Sequence, residues 1–413
     1  MSTQLAIKRM GAKGEGVADT PDGPVYVPFT LPGERVTAAR NKDRADLIAV
    51  LEPSADRVEP TCRHFGTCGG CALQHWQTGA YRAWKSGLVA TALARRGIEA
   101  ALEPMIICPP GSRRRAVFSA LVTQDSVLLG FNQALSNTIV PINECPVADQ
   151  RIVNALPALR DLAAIIGKKG RVFHLSVALG ENGLDVAATG CGEPSDEKRR
   201  RAIAFVLSSS FARFAVDGEI IVEPRKPIVM FGDVAVTPPP VAFLQAATDS
   251  EEAMVGLVAD HFAKAKRVMD LFAGCGTFAL RLAKTATVHA IEADKPSLAA
   301  LERGFRQGPG LKTVTCEQRD LFQRPLLPRD LIGFDAVVFD PPRAGADAQC
   351  RQLIRSEVLR IAAVSCNPGT LARDLRILID GGYRLTSVTP IDQFVYSPHV
   401  EVVALLEKPK KRR

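Results

Sequence analysis

No run of apolar residues in the chain reaches the roughly 18 that a membrane helix needs. The N-terminal stretch MSTQLAIKRMGAKGEG also lacks the apolar core of a secretion signal. Both absences point to a cytoplasmic protein with no membrane partner. There is no internal repeat and no long low-complexity segment, which excludes a collagen-like chain. The charge excess of a disordered chain is missing too, since 23% of residues are charged and 46% hydrophobic. At ~150 residues per domain, 413 residues make two or three domains.

Net charge is +8, and the tail KPKKRR supplies five positive charges through Lys408, Lys410, Lys411, Arg412 and Arg413. A basic balance suits a polyanion such as nucleic acid. The rest of the chain carries only +3, so the tail by itself reads as a solubilising one.

Ten cysteines are present. In the cytosol they are thiols, metal ligands or nucleophiles rather than disulfides. Three fall in Cys62-x5-Cys68-Gly69-Gly70-Cys71, a glycine-rich turn whose soft ligands suit zinc or an iron–sulfur cluster. Zinc ribbons usually carry two C-x2-C pairs, and only one is present. A fourth ligand must come from a distance, with Cys145 before Pro146 and Cys108 before Pro109 as candidates. The C-x3-C-x2-C spacing of radical enzymes is absent, so the turn reads as structural or RNA-positioning.

Residues 1–52 read as a small β module, with strand-like runs at 25–29, 35–40 and 45–51 separated by Gly- and Pro-containing turns. Scattered basic residues, including Arg9, Lys13 and Arg44, suit a small barrel that grips nucleic acid. Residues 53–78 are irregular, and 81–98 have helical spacing. Residues 113–235 read mainly as strands, interrupted by a polar loop at 193–202. From about 236 the pattern alternates, with strands expected at 267–272, 287–294, 311–320, 334–340, 361–366, 383–391 and 400–408. Helices are expected at 247–265, 277–284 and 295–307. The fold class is multidomain α/β, with domains at 1–52, 53–235 and 236–413. The last is a Rossmann-like, doubly wound, mostly parallel sheet, and helix 81–98 can pack on it.

The α/β domain opens with the string Asp270-Leu271-Phe272-Ala273-Gly274-Cys275-Gly276-Thr277, a strand running into a glycine loop and a helix. Glu292 ends the next strand, about 20 positions on, where a carboxylate can accept from a ribose diol. The loop has no third glycine and no P-loop lysine, so a cofactor without phosphates is favoured. Two further strings stand at strand tips, where such sheets bind ligands. Asp340-Pro341-Pro342-Arg343 holds a carboxylate on a rigid loop. In Ser365-Cys366-Asn367-Pro368-Gly369-Thr370, Cys366 is a candidate nucleophile. A thiolate that adds to carbon 6 of a pyrimidine activates carbon 5 for methylation, and a base must then remove the carbon 5 proton. Glu401, in Ser397-Pro398-His399-Val400-Glu401, is the base candidate.

With these motifs, the chain resembles the bacterial RNA uracil-5 methyltransferases over almost its whole length, most of all the type acting on 23S ribosomal RNA. The resemblance implies an N-terminal OB-like TRAM barrel at 1–52. It implies a [4Fe-4S] cluster on Cys62, Cys68, Cys71 and Cys145. S-adenosyl-L-methionine contacts would fall on Gln245, Phe272, Thr277, Glu292, Asp320 and Asp340. Cys366 would be the nucleophile and Glu401 the proton acceptor, with Arg113, Arg114 and Arg115 near the RNA. Relatives acting on tRNA typically lack both the TRAM domain and the cluster, so their joint presence favours ribosomal RNA. Asp340 stands where the cytosine-5 enzymes place a Cys beside Pro, which argues for uracil. A monomer is expected.

Three positions depart from the family pattern. Thr277 stands where relatives often have Asn, SPHVE lacks a Gly before His, and Ser112 precedes the arginines where an aromatic is common. None removes a chemical group. A tRNA uracil-5 methyltransferase and an inactive iron–sulfur assembly factor are the rival readings.

Overall fold

The computed structural model describes residues 2–409. Met1 and Lys410, Lys411, Arg412 and Arg413 of the basic tail lie outside the described residues.

Six strands form the N-terminal sheet: β1 (Ser2–Ala6), β2 (Arg9–Met10), β3 (Glu15–Thr20), β4 (Gly23–Pro28), β5 (Arg35–Asn41) and β6 (Arg44–Glu52). Their order is β1-β5-β6-β4-β3-β2, around a core that includes Val25, Val27, Val36 and Ala38. The first three strands are absent from the sequence reading, because Gly11, Gly14 and Gly16 dilute the alternation there. Arg57, in the following linker, donates to both oxygens of Glu34 at 2.5 and 2.8 Å and fastens the linker to this sheet.

The expected helix at 81–98 is α1 (Thr78–Ala94), capped by the Gln77 side chain. Tyr81, Lys85, Val89 and Leu93 recur every four residues and form its buried face. Val89, Leu93 and Ile98 enter the core of the C-terminal sheet. Lys85 is fully buried. Its ammonium bonds the Asp392 carboxylate, and it donates to the Phe394 carbonyl at 2.9 Å. The Tyr81 hydroxyl reaches the same carboxylate at 3.1 Å and accepts the Tyr396 N–H at 3.0 Å. Residues 392–396 are thus clamped from α1. Next comes β7 (Ile106–Ile107).

The central sheet holds β8 (Arg115–Val122), β9 (Val127–Asn132), β10 (Ile139–Pro141), β11 (Val172–Gly180), β12 (Gly183–Thr189), β13 (Phe211–Val216) and β14 (Glu219–Val222). Its order is β10-β9-β8-β11-β12-β13-β14. Three helices cross this region: α2 (Gln150–Asn154), α3 (Leu156–Ile166) and α4 (Asp196–Leu207). Helix α4 corrects the polar loop expected at 193–202. Ser195 caps it by accepting the Lys198 N–H, and Asp196 and Glu197 in its first turn suit the helix dipole. It buries only Ala202 and Val206, too thin a stripe to stand out from its charges.

A hairpin of β15 (Val229–Phe231) and β16 (Val234–Val236) leads into α5 (Thr248–His261). The remaining elements are β17 (Arg267–Leu271), α6 (Ala279–Leu282), β18 (Thr287–Glu292), α7 (Lys295–Gln307), β19 (Val314–Gln318), β20 (Ala336–Phe339), α8 (Asp347–Leu353), β21 (Arg360–Ser365), α9 (Pro368–Asp380), β22 (Arg384–Asp392) and β23 (Glu401–Glu407). The sheet order is β19-β18-β17-β20-β21-β23-β22-β7. Strands β17 to β21 are parallel, and β23 enters antiparallel between β21 and β22. The expected helix at 277–284 shrinks to the four residues of α6. No described helix is long and apolar enough to cross a membrane.

Candidate active site

Three loops meet at the carboxyl edge of the C-terminal sheet: residues 340–343 after β20, 366–367 after β21, and 393–400 between β22 and β23. Asn367 Nδ2 and the Thr370 hydroxyl both donate to the Arg343 carbonyl at 3.2 Å. The Arg343 guanidinium lies 3.1 Å from His399 Nδ1. Asn367 caps α9 by accepting the Gly369 N–H at 3.0 Å, and Pro368 suits the first turn. That cap fixes the chain immediately after Cys366.

Strand register places Cys366 and Glu401 together. Ser365 pairs with Val402, so the next residue along β21 meets the preceding one on β23. Glu401 is 2% exposed. Its Oε2 accepts from Gln393 Nε2 at 2.5 Å, and its Oε1 is buried without a hydrogen-bond partner. Gln393 Nε2 also donates to Gln245 Oε1 at 3.1 Å, and Gln245 Nε2 donates to Asp340 Oδ2 at 2.7 Å. The result is a hydrogen-bonded chain with a carboxyl group at each end. Burial and the Asp340 charge raise Glu401 well above the ordinary carboxylate range. Burial pushes Asp340 up to about 7, against the Gln245 bond. Burial also pushes the Cys366 thiol up to about 11, reinforced by Glu401 and Asp340 and opposed by Arg343.

Cys366 opens onto a groove of about 1050 Å³. Arg9, Lys13 and Tyr26 from the N-terminal sheet and its turns line it, with Trp84 and Arg95 from α1 and its end, and Arg343. Cations and aromatic rings around a cysteine suit a polyanion that presents an unstacked base.

On the neighbouring strands, β17 runs into the glycine loop. Phe272 takes φ +61°, a left-handed conformation of the kind that costs roughly 1–3 kcal/mol and clusters at ligand sites. Its ring lies 5.5 Å from Phe322. Gly274 has φ +54°, with open space where a Cβ would stand. Glu292 accepts the N–H groups of Gly274 at 2.9 Å and Asp294 at 2.8 Å. Asp320 accepts the Phe322 N–H at 2.9 Å. Thr277 continues the loop, its carbonyl accepting from Arg281 at 3.0 Å. Fixed carboxylate acceptors, two phenyl rings and a bare glycine fit a nucleoside bearing a diol and a flat base. The residues present therefore fit S-adenosylmethionine.

Burial raises the pKa of Cys62, Cys68 and Cys71, and Cys145 adds to each shift. Burial is the larger cause and takes Cys71 up to about 12. Cys108, the other candidate, lies instead in the C-terminal core near Ser250 and Asp392. Cys62, Cys68, Cys71 and Cys145 are each half-buried free thiols, the soft donor type that an iron–sulfur cluster takes. Among the described residues, no three His, Cys, Asp or Glu side chains gather as a metal-holding group. The same turn touches the active-site loop, since the N–H groups of Ala72 and Leu73 donate to the Tyr396 carbonyl at 2.9 and 3.1 Å.

The three arginines occupy different settings. Arg114 is buried, paired with Glu251, and donates to the Gln245 carbonyl at 3.0 Å. It supports the site from behind rather than facing outward. Arg115 stacks over Phe243 at 4.6 Å, and burial with its two neighbours lowers it to about 10. Arg113, near Cys145 and Cys71, lines a smaller cavity of about 180 Å³ together with Arg115.

Gln393 and the Lys85–Asp392 pair escape the sequence reading. Their one signal is a polar Asp-Gln step at the buried end of β22, where the ligand-binding edge lies.

A family model described as tRNA (Uracil-5-)-methyltransferase matches residues 317–409. An RNA methyltransferase of Mesorhizobium japonicum is 55% identical over 413 residues, covering 100% of both chains. The 23S rRNA (uracil(1939)-C(5))-methyltransferase RlmD of Halomonas elongata is 33% identical, over 99% of this chain and 90% of its own. Among solved structures, Pyrococcus abyssi tRNA (uracil-54, C5)-methyltransferase, in complex with S-adenosyl-L-homocysteine, aligns with a TM-score of 0.76 at 24% identity. That alignment covers 98% of this chain and 99% of the other, and shows a common fold.

Proposed function

The chain belongs to the RNA uracil-5 methyltransferase family, and from that premise we propose that it methylates carbon 5 of one uridine in 23S ribosomal RNA through a Cys366 adduct. The observation that carries this reading is the nearness of Cys366 to Glu401, one step beyond the Ser365–Val402 pair of β21 and β23, with Cys366 lining a cation-lined groove.

Bound S-adenosylmethionine supplies an electrophilic methyl group. Gln245, Phe272, Thr277, Glu292, Asp320 and Asp340 are the residues that would hold it. Cys366 gives up its proton to solvent in the groove, and its sulfur bonds carbon 6 of the uracil, whose 5,6 double-bond electrons shift to leave an enolate. Arg343 and the N-terminus of α9 favour the thiolate. The enolate electrons then bond carbon 5 to the methyl carbon as its bond to the cofactor sulfur breaks, which would leave the neutral thioether S-adenosylhomocysteine. Glu401 then accepts the carbon 5 proton, the double bond reforms, and the carbon–sulfur bond breaks with its electrons returning to Cys366. The groove's Arg9, Lys13, Arg95 and Arg343 would hold phosphates, and Tyr26 and Trp84 would stack bases.

Cys62, Cys68, Cys71 and Cys145 are proposed to hold a [4Fe-4S] cluster, as a brace or an RNA-positioning element outside the reaction. Chain purified without oxygen should then carry iron and sulfide in equal amounts. Stoichiometric zinc without iron would overturn the assignment.

A relative named for 23S rRNA favours ribosomal RNA; a tRNA enzyme of known structure aligns over 98% of this chain, so the N-terminal β region does not separate the two readings. The matching family description favours tRNA as the second reading. Labelled S-adenosylmethionine offered with unmodified 23S ribosomal RNA and with unmodified tRNA separates them. We expect 5-methyluridine in the ribosomal RNA alone. Label in tRNA alone would keep the chemistry and reassign the substrate. No label in either would favour an inactive RNA-binding factor.

A further inference from the structure

Gln393 belongs to no part of the assignment above, yet it makes four hydrogen bonds inside the site. It is 4% exposed. Its Oε1 accepts the Ala246 N–H at 3.2 Å and the Ser250 hydroxyl at 3.0 Å. A backbone N–H can only donate, so the orientation of this amide is fixed. Its Nε2 must then face the other way, toward Gln245 Oε1 and Glu401 Oε2. Gln245 is fixed in turn, because its Oε1 is occupied and its Nε2 can only point at Asp340. One immovable amide therefore sets the direction of the whole chain.

We propose that Gln393 is a positioning residue that pins Glu401 by Oε2, leaving Oε1 as the oxygen that receives the carbon 5 proton. The inference rests on the reading of Glu401 as the base. Two features of the geometry support it. Glu401 Oε1 is the buried oxygen without a partner, as a proton acceptor awaiting its substrate should be. The donor to Oε2 also favours the ionised carboxylate, which burial and Asp340 oppose. The titratable and charged groups around this chain are Asp340, Cys366 and Arg343 at the thiol side. Behind it stand the Arg114–Glu251 pair and the Lys85–Asp392 pair.

The test compares wild type, Gln393→Met, Gln393→Glu and Glu401→Gln on the transcript that the wild type methylates. Product release and the fraction of chain trapped as a covalent RNA adduct are measured from pH 6 to 10. A base must be ionised to work, so the release rate falls as pH falls through its pKa. Loss of the Gln393 donor raises that pKa. For Gln393→Met we expect a midpoint displaced upward by about one unit, roughly a tenfold loss near neutral pH that is recovered at alkaline pH. Adduct should accumulate on the acidic side. Gln393→Glu keeps the volume but has at most one proton to donate, so its midpoint should also rise; it answers the question should the Met variant not fold. Adduct trapped by Glu401→Gln, with wild-type midpoints in both Gln393 variants, overturns the positioning role alone. Absence of adduct in Glu401→Gln removes the base assignment, and this proposal with it.

Discussion

Cys366→Ala lowers methyl transfer by at least about 10⁴-fold, the scale on which a lost nucleophile acts, while S-adenosylmethionine and RNA binding persist. The substitution removes the thiol proposed to bond carbon 6. Carbon 5 of uracil is a poor nucleophile without that bond, so no neighbouring residue substitutes for the sulfur. The residue is half-buried and lies between a strand end and a helix cap, neither of which uses its sulfur. The fold should therefore tolerate the change. Transfer from labelled cofactor, with filter binding of the RNA alongside, checks both halves. Unchanged transfer would remove Cys366 from the mechanism.

Glu401→Gln gives the other large effect, with a different signature. Attack and methylation proceed, but the carbon 5 proton has no acceptor, so the chain stops as a protein–RNA adduct. Turnover should fall by about 10²–10⁴-fold, the usual worth of a positioned general base. The adduct should survive denaturing electrophoresis and carry the methyl label. Removal of the charge also takes away one of the groups that hold the Cys366 thiol up and a partner that interacts with Asp340. Attack should therefore be no slower than in the wild type. Failure to form adduct while turnover is lost would mean that Glu401 acts before or during attack instead.

Much of the C-terminal sheet is legible before any coordinates, for a physical reason. Its central strands are buried on both faces, so they read as unbroken apolar runs such as Ala336–Phe339 and residues 361–364, with ligand-binding strings at their ends. Helix α7 is equally plain, because Asp294 caps it and Pro296 sits in its first turn. The parts that do not show are those where tertiary contact overrides local pattern. Helix α4 hides among charges. Strand β7 has only two residues and exists because β22 offers it an edge. Gln393 is invisible for a related reason. Its partners are Gln245, Ala246, Ser250 and Glu401, and only the fold brings the first three beside it. Arg114 shows the opposite failure. A basic triplet suggests an outward-facing patch, yet its middle member is buried by Glu251, a residue more than a hundred positions away.

Strand order has a consequence for biogenesis. Strand β23 is made after every other strand of its sheet, yet it occupies an interior place between β21 and β22. Until it threads in, those two strands keep bare edges, and the carboxylate at its start is missing from the site. On the proposed mechanism, a nascent chain can thus expose its cysteine and its basic groove without being able to finish a reaction. On that mechanism, catalytic competence arrives with the closing of the sheet.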